Sequence, residues 1–474
     1  LTTIGNRAFA NVARTDISIG TDSTLKQIGD EAFSGAAIKQ LSIPSTVKTI
    51  GNRAFASAHL EKLTFETRIE KGHRLYDLQN IGDMAFNNSL SLQRLVAPAG
   101  VIAKIKGSVF DAQNIEIVGE DDIEAGLLAK TSVSSLSIGE GVKKIGDRAF
   151  EGLKITSLTI PASVLEIGVG AFWHCPIETL AVAEGNATFI VKNNCLIDKT
   201  THTLVAAFGN GTISKDFVWG GSDGKTKIFD VTSIGYGAFA FAKIESMVIP
   251  SNVKTIGEFA FAHSALKQVV IESGVKNIGA KAFYMSENLQ TVSVADSVQS
   301  IGCNAFEGTK YYADKENENG IVYIGKVAYV YRGNKADITD IEIKDGTVGI
   351  ADHALGYMRN LITITLPSSV KHIDSMAFLG CTNLKNIYYN GTDDGWNAIV
   401  KATNWDLNTP IYKVWTKCPC LDKTHDHDGD GTIKGENEEA DKCGNYKLRG
   451  SDMCDECFGK DVDKVVSENK KKQG

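Results

Sequence analysis

A six-residue phrase, Ile-Gly-x-x-Ala-Phe, sets the pattern of apolar positions along this chain. It begins at Ile4, Ile28, Ile50, Ile81, Ile145, Ile167, Ile234, Ile256, Ile278 and Ile301, with divergent copies at Ile105, Ile350 and Ile373. Successive copies are mostly 22 to 24 residues apart, the period of one coil of a solenoid. A second signal, Leu/Ile-x-x-Leu-x-Ile-Pro, follows several copies, as in Ile38 to Pro44, Ile155 to Pro161, Ile244 to Pro250 and Leu361 to Pro367. Its period-two alternation predicts a short strand with one buried face. The proline closes that strand because it has no N–H for the ladder. One such unit cannot fold alone. It orders about 22 residues at roughly 1–2 kcal/mol of backbone entropy each, against five or so large apolar side chains at about 1.5–3 kcal/mol each. Stacked units cover one another's apolar faces and close the gap. The glycine serves either a turn at positive φ or a close approach of neighbouring coils. The predicted fold is a repeat solenoid, a coiled parallel β-sheet of about 13 repeats.

Ile-Gly-x-x-Ala-Phe followed by Leu-x-x-Leu-x-Ile-Pro-x-x-Val resembles the BspA-type leucine-rich repeat, a bacterial and protozoan surface-protein family, over residues 1–416. The resemblance implies a secreted or surface-anchored interaction scaffold that binds a protein or glycan on another cell or matrix. It does not name the ligand.

Two stretches break the period. Copies at Ile167 and Ile234 lie 67 residues apart, and those at Ile301 and Ile350 lie 49 apart. The first gap holds Thr188–Val191 and Thr203–Phe208 around Lys192-Asn193-Asn194, and the second holds Gly320–Ile324 and Val327–Tyr331 around Gly325-Lys326. Both read as β-hairpins projecting from the coil, insertions at about 186–225 and 310–335. The stretch from Ile105 to Ile145 has no assignment. Near 387–416 the period ends in Trp396, Trp405 and Trp415, three of the five tryptophans. They predict a cap over the last open core face. No comparable cap precedes Leu1, which is neither an initiator Met nor the start of a signal peptide, so the start reads as a cut or processed end.

Composition narrows function. Residues 418–463 hold 13 Asp/Glu against 6 Lys/Arg, and the rest of the chain holds 44 of each. A neutral body argues against nucleic acid, which needs a basic stripe. No run of 18 apolar residues suggests a membrane span. No Gly-x-Ser-x-Gly, His-Glu-x-x-His, Walker loop or Gly-x-Gly-x-x-Gly occurs, so the chain reads as non-enzymatic and most simply monomeric. His59, His174 and His263 follow the phrase and read as solvent-facing turn residues. Cys175 and Cys381 fall third after the repeat aromatic, where other copies carry Ala36, Ala58, Ser264 and Ser286, a slot for a small buried side chain. Residues such as Gln40, Ser42, Ser157 and Thr159 should face outward from the stacked strands. That polar, Thr-rich face lacks the Trp, Tyr and Arg anchors of a binding hot spot. The better anchors are Tyr311, Tyr312, Tyr323, Tyr329 and Tyr331 in the second hairpin, although cross-strand packing also favours tyrosine there.

The tail, 417–474, carries metal-ligand chemistry. Asp426-His427-Asp428-Gly429-Asp430-Gly431-Thr432-Ile433 resembles the calcium loop of EF-hand and dockerin modules, with oxygen ligands at alternate positions and a glycine at the sharp turn. Thr432 would add its carbonyl. The twelfth position is Asn437, flanked by Glu436 and Glu438, so no bidentate carboxylate is in register. Calcium binding competes with a merely solvated acidic turn. Cys418, Cys420, Cys443, Cys454 and Cys457 could hold zinc, form disulfides with one thiol left over, or stay free. The two function classes are a macromolecule-binding scaffold and a calcium- or zinc-binding tail displayed on a repeat spacer.

Overall fold

The computed structural model describes residues 1–13, 19, 23–88, 92–105, 112–209, 211, 217–220, 226–315, 319–407, 409, 413–417 and 446–448. The chain divides into two compact units, Leu1–Met247 with Phe259–Leu266, and Val248–Glu258 with Lys267–Gly474. Each is a parallel β-solenoid.

In the first unit most of the described coils contribute two strands. A two-residue strand ends on the repeat isoleucine, and these pair in parallel so that Ile4, Ile28, Ile50 and Ile81 are successive partners. The second strand is the one its Leu-x-Ile alternation predicts. Gln40–Ile43, Lys62–Phe65, Arg94–Pro98 and Asn114–Val118 pair in parallel, with Leu41, Leu63, Leu95 and Ile115 in register. Leu41 and Ile43 are buried while Gln40 is exposed. The second unit repeats the arrangement in Gln268–Ile271 with Thr291–Val294 and in Thr363–Leu366 with Asn386–Tyr389.

Between the strands lies a stacked turn built on the Ala-Phe pair. Phe9, Phe33, Phe55 and Phe86 form a column with centroids 5.1, 5.2 and 5.1 Å apart and planes within 10°. Phe239 on Phe261 and Phe283 on Phe306 repeat it. The backbone runs in step, with the amide of Phe33 donating to Ala54 O and that of Phe55 to Ala85 O, both at 2.7 Å. Just after the glycine, Asn6, Asp30 and Asn52 each accept the backbone N–H of the residue at the same place one coil on, at 2.7–2.9 Å. Asp147 does the same for Val169. This side-chain ladder satisfies amides that a sharp turn would otherwise leave unpaired.

Of the two roles open to the repeat glycine, close approach is the one used. Gly51, Gly82, Gly146, Gly279 and Gly302 all lie outside positive φ. A Cβ on Gly51 would sit 2.6 Å from Asp30 N, and one on Gly279 would sit 2.6 Å from Glu258 N. Positive φ falls instead two residues before and two after the phenylalanine, mostly on residues that are not glycine: Arg53 and Ser57 (52° and 56°), Lys281 and Met285 (55° and 54°).

Several expectations change. Ile105 ends a helix rather than a two-residue strand; Ala99–Ile105 is a seven-residue helix with Val101, Ile102 and Ile105 buried, and the residues after it lie outside the described ones. Lys106 stands where the close-approach glycine would be needed. The unassigned stretch holds a hidden copy at Ile123, bridged in parallel to Ile145, with Leu128 fully buried in the phenylalanine place and Gly126 and Lys130 both at φ 61°.

Part of each insertion joins the coil sheet, while Phe217–Gly220 and Thr226–Phe229, at the end of the first, pair antiparallel only with each other. In the first, Phe189–Lys192 turns at Asn193-Asn194 into Cys195–Asp198, and Thr203–Ala207 is a third strand that pairs in parallel with Ser233–Ile234. Asn186 fixes its start. Its amide donates to Pro161 O and Val164 O, and its oxygen accepts from Thr188 N and Phe189 N. In the second, Gly320–Ile324 and Val327–Arg332 form the expected hairpin, but Val327–Ala328 also pairs in parallel with Gly349–Ile350. At the cap, Phe378, Trp405, Trp396 and Tyr389 meet edge to face at 5.7–6.1 Å. Lys413–Lys417 adds a further parallel strand, and Tyr446–Leu448 pairs antiparallel with it.

Candidate functional site

The tail ligands Asp426, Asp428, Asp430, Thr432, Glu436 and Glu438, and Cys418, Cys420, Cys443, Cys454 and Cys457, lie outside the described residues. The tyrosines of the second insertion are described: Tyr323, Tyr329 and Tyr331 lie on the hairpin strands, and Tyr311 and Tyr312 on the short helix Lys310–Ala313 before them. Tyr329 is core, 4% exposed, and its hydroxyl accepts the Phe306 amide at 3.3 Å. Tyr311 and Tyr312 stand edge-on to Phe306 and Tyr329. Together with Tyr323 and Tyr331 they are half-buried. The Arg332 guanidinium lies 4.0 Å over the Tyr312 ring and the Lys315 ammonium 5.4 Å over Tyr311.

A second aromatic cluster, in the first unit, escaped sequence reasoning. Phe150, Phe172 and Phe208 are no longer stacked but tilted, at 36° and then 70°. The column opens there because Phe208 comes from the insertion, not from a repeat turn. A cavity of about 300 Å³ results, lined by Phe172, Trp173, His174, Phe208, Gly237 and Phe241 among others. The Trp173 indole lies across Gly170 and Gly237, where a Cβ would come within 2.7 Å of its ring at Gly170 and closer still at Gly237. Its Nε1 donates to Gly237 O at 3.2 Å. Tyr236 stacks on it at 6.0 Å, and the Arg148 guanidinium lies 5.3 Å from its centroid. His174, Phe241 and His263 occupy one turn position in successive coils, all at positive φ, with ring centroids 3.7 and 5.1 Å apart. His59, His174 and His263 are exposed, as their turn position predicts. The available signal was a tryptophan directly after the repeat phenylalanine, two coils in succession having Gly-x-Gly before it.

Nothing in these clusters activates a nucleophile. Ser300, His372 and Asp374 come together, but Ser300 Oγ and His372 Nε2 both donate to Asp374, at 2.7 and 2.9 Å. Catalysis needs the imidazole between serine and carboxylate; here the carboxylate is central. Asp374 also accepts the Ile301 amide at 3.2 Å, so the buried charge is held by three donors. Burial pushes Cys175, Cys303 and Cys381 up to about 11 and Cys195 up to about 12. The small slot after the phenylalanine is filled as expected. Cys381 and Ser286 are fully buried, and the thiols of Cys175 and Cys381 donate to the carbonyls of Phe150 and Leu355. Among the described residues no helix is long and apolar enough to cross a membrane.

Comparison with known proteins gives one family match. Residues 2–119, 121–203, 232–334 and 316–394 match the BspA type leucine rich repeat region, in six copies. No curated protein matches the chain. Among solved structures, a leucine rich cell surface protein from Faecalibacterium prausnitzii is 21% identical, with 82% of this chain and 91% of that one covered and a TM-score of 0.35. The pneumococcal vaccine antigen PcpA is 18% identical over 89% of this chain and 88% of its own, TM-score 0.36. A leucine-rich repeat protein from Eubacterium ventriosum is 17% identical over 79% and 84%, TM-score 0.33. With the family matched over most of its length, and with coils that carry its phrase in register, this chain belongs to the BspA-type leucine-rich repeat proteins.

Proposed function

We propose that the chain is a non-enzymatic scaffold displayed at the cell surface, binding a protein or glycan through the aromatic cluster around Trp173. The observation that carries this reading is the grouping of Arg148, Trp173 and Tyr236 beside a cavity of about 300 Å³. Trp, Tyr and Arg are the residue types that dominate binding energy at interfaces. Tyr236 is 37% exposed, its ring packed against Trp173 and Phe259 with an edge left for a partner. The half-buried tyrosines of the second insertion form a second contact region. Removing residues 310–335 outright is a poor test, because Val322, Ile324, Val327 and Ala328 are fully buried. Point changes separate binding from folding. In a titration on intact cells read by flow cytometry, Tyr236→Ala is expected to weaken binding about tenfold, the loss of a contact of about 1.4 kcal/mol. Tyr312→Ala should cost less. Prior protease or glycosidase treatment of the cells identifies the partner class. Equal affinity for both variants and wild type, with unchanged circular dichroism, would refute the surface, and no binding to any cell would refute the scaffold.

A second reading rests on the tail's charge, 13 acids against 6 bases in residues 418–463. Such a segment repels itself and has few large apolar side chains to bury, so a bound ion supplies the missing stability. Calcium would take Asp426, Asp428 and Asp430, and zinc the cysteines. Calcium and zinc titrations of the full chain, followed by NMR of its amides, should disperse two different sets of tail peaks. Dispersed tail peaks in the metal-free, reduced chain would remove the basis for this reading.

A further inference from the structure

The second insertion brings together two turns that are far apart in sequence. Cys303 follows the repeat glycine of one phrase, and Asp352 holds the same place in the next, 49 residues on. The backbones are pinned to each other. The Asp352 amide donates to Ile301 O at 3.3 Å, and Asp352 Oδ2 accepts the Cys303 amide at 3.3 Å. Asp352 Oδ1 meets Nδ1 of His353, whose φ of 60° turns it back over its neighbour. One thiol sulfur, one carboxylate oxygen and one imidazole nitrogen lie within 4.8 Å of one another. All three residues are half-buried, close enough to solvent for an ion to enter.

We propose that Cys303, Asp352 and His353 form a three-ligand site for a divalent transition metal, zinc foremost, with the fourth position left to water. The same two columns carry other chemistry elsewhere: Asn6 with Arg7, Asp30 with Glu31, Asn52 with Arg53 and Asp147 with Arg148. There the oxygen is committed to the next coil's amide. Asp352 Oδ2 keeps a bond of that kind, to the Cys303 amide, but here a thiol and an imidazole join the carboxylate, the mixed set that zinc prefers and calcium or magnesium does not. Bonds of about 2.0–2.3 Å put tetrahedral zinc ligands roughly 3.5 Å apart, a contraction that rotation about χ1 supplies while the backbone stays fixed. The neighbouring cation is Lys281, whose amide donates to Cys303 O at 3.0 Å. Binding converts the thiol to thiolate and releases its proton to solvent.

The test uses the full chain, stripped of metal and reduced. Cysteine alkylation by N-ethylmaleimide is followed peptide by peptide in a mass spectrometer, so Cys303 is read apart from the tail thiols. Zinc in excess over all thiols is expected to slow labelling of Cys303 at least about tenfold, and His353→Gln to abolish most of that protection. In parallel, cobalt(II) is titrated into wild type and Cys303→Ser. The serine variant should take up one equivalent less and lose the matching thiolate-to-cobalt absorption. Cobalt spectra and stoichiometry that are the same in both proteins overturn the site. So does zinc that leaves the wild-type Cys303 labelling rate unchanged while protecting the tail.

Discussion

Replacing Phe55 by alanine should destabilise its coils by about 3–5 kcal/mol, the usual loss for a buried aromatic. The ring is fully buried and sandwiched between Phe33 and Phe86, at 5.2 and 5.1 Å. Truncation therefore removes contacts on two interfaces at once, and a solenoid's stability is a sum over such neighbour interfaces. Phe55→Leu keeps most of the volume and should cost less than about 1.5 kcal/mol. Phe9 belongs to the same column but is 37% exposed, and Phe33 is its ring partner among the described residues. Phe9→Ala should cost well under half as much. Amide hydrogen exchange is the suitable readout, because long repeat arrays need not unfold in one step. Protection lost equally at Phe9 and Phe55 variants would show that stacking position does not matter.

The Leu-x-Ile strands and the Ala-Phe core were legible because each has a period that burial enforces: Leu41, Leu63 and Leu95 are buried in register while their neighbours face out. The two-residue strands such as Thr49–Ile50 were not, since two residues carry no period. The turn copy at Ile123 was hidden because Leu128 and Glu124 replace Phe and Gly, although its distance to Ile145 keeps the repeat length. The hairpin strands were found, but not their parallel pairing with the coils. Parallel pairing of Thr203–Leu204 with Ser233–Ile234 depends on backbone positions far apart in sequence, which local alternation cannot report. The same limit hid both clusters of chemical interest. Trp173 meets Tyr236 across the first insertion, and Cys303 meets Asp352 across the second. In each case the insertion that breaks the period is what brings the residues together.

Gly82→Ala and Met84→Gly, two residues apart in one turn, should move stability in opposite directions. Helix-derived habit would expect alanine to help and glycine to harm. Here the backbone decides otherwise. Gly82 lies outside positive φ, so alanine suits its dihedrals. The added Cβ would nevertheless fall 2.5 Å from the Gly51 carbonyl carbon, against backbone that cannot swing aside. Forcing two hydrogen-bonded coils apart should cost about 3 kcal/mol, the upper part of the range for overpacking. Met84 is the reverse case. It sits at φ 55° with its side chain 53% exposed, so it is strained and packs little. Left-handed backbone costs an L-residue about 1–2 kcal/mol. Glycine removes that strain and gives back about 0.5–1 kcal/mol of unfolded-state entropy. The net for Met84→Gly is a gain of up to about 1 kcal/mol. Hydrogen exchange at the amides of Arg53 and Phe55, which donate to Asp83 O and Ala85 O of this turn, reads both effects in one place. Alanine at 82 that leaves their protection intact would mean the coils can separate freely, and the close-approach role of the repeat glycine would fall.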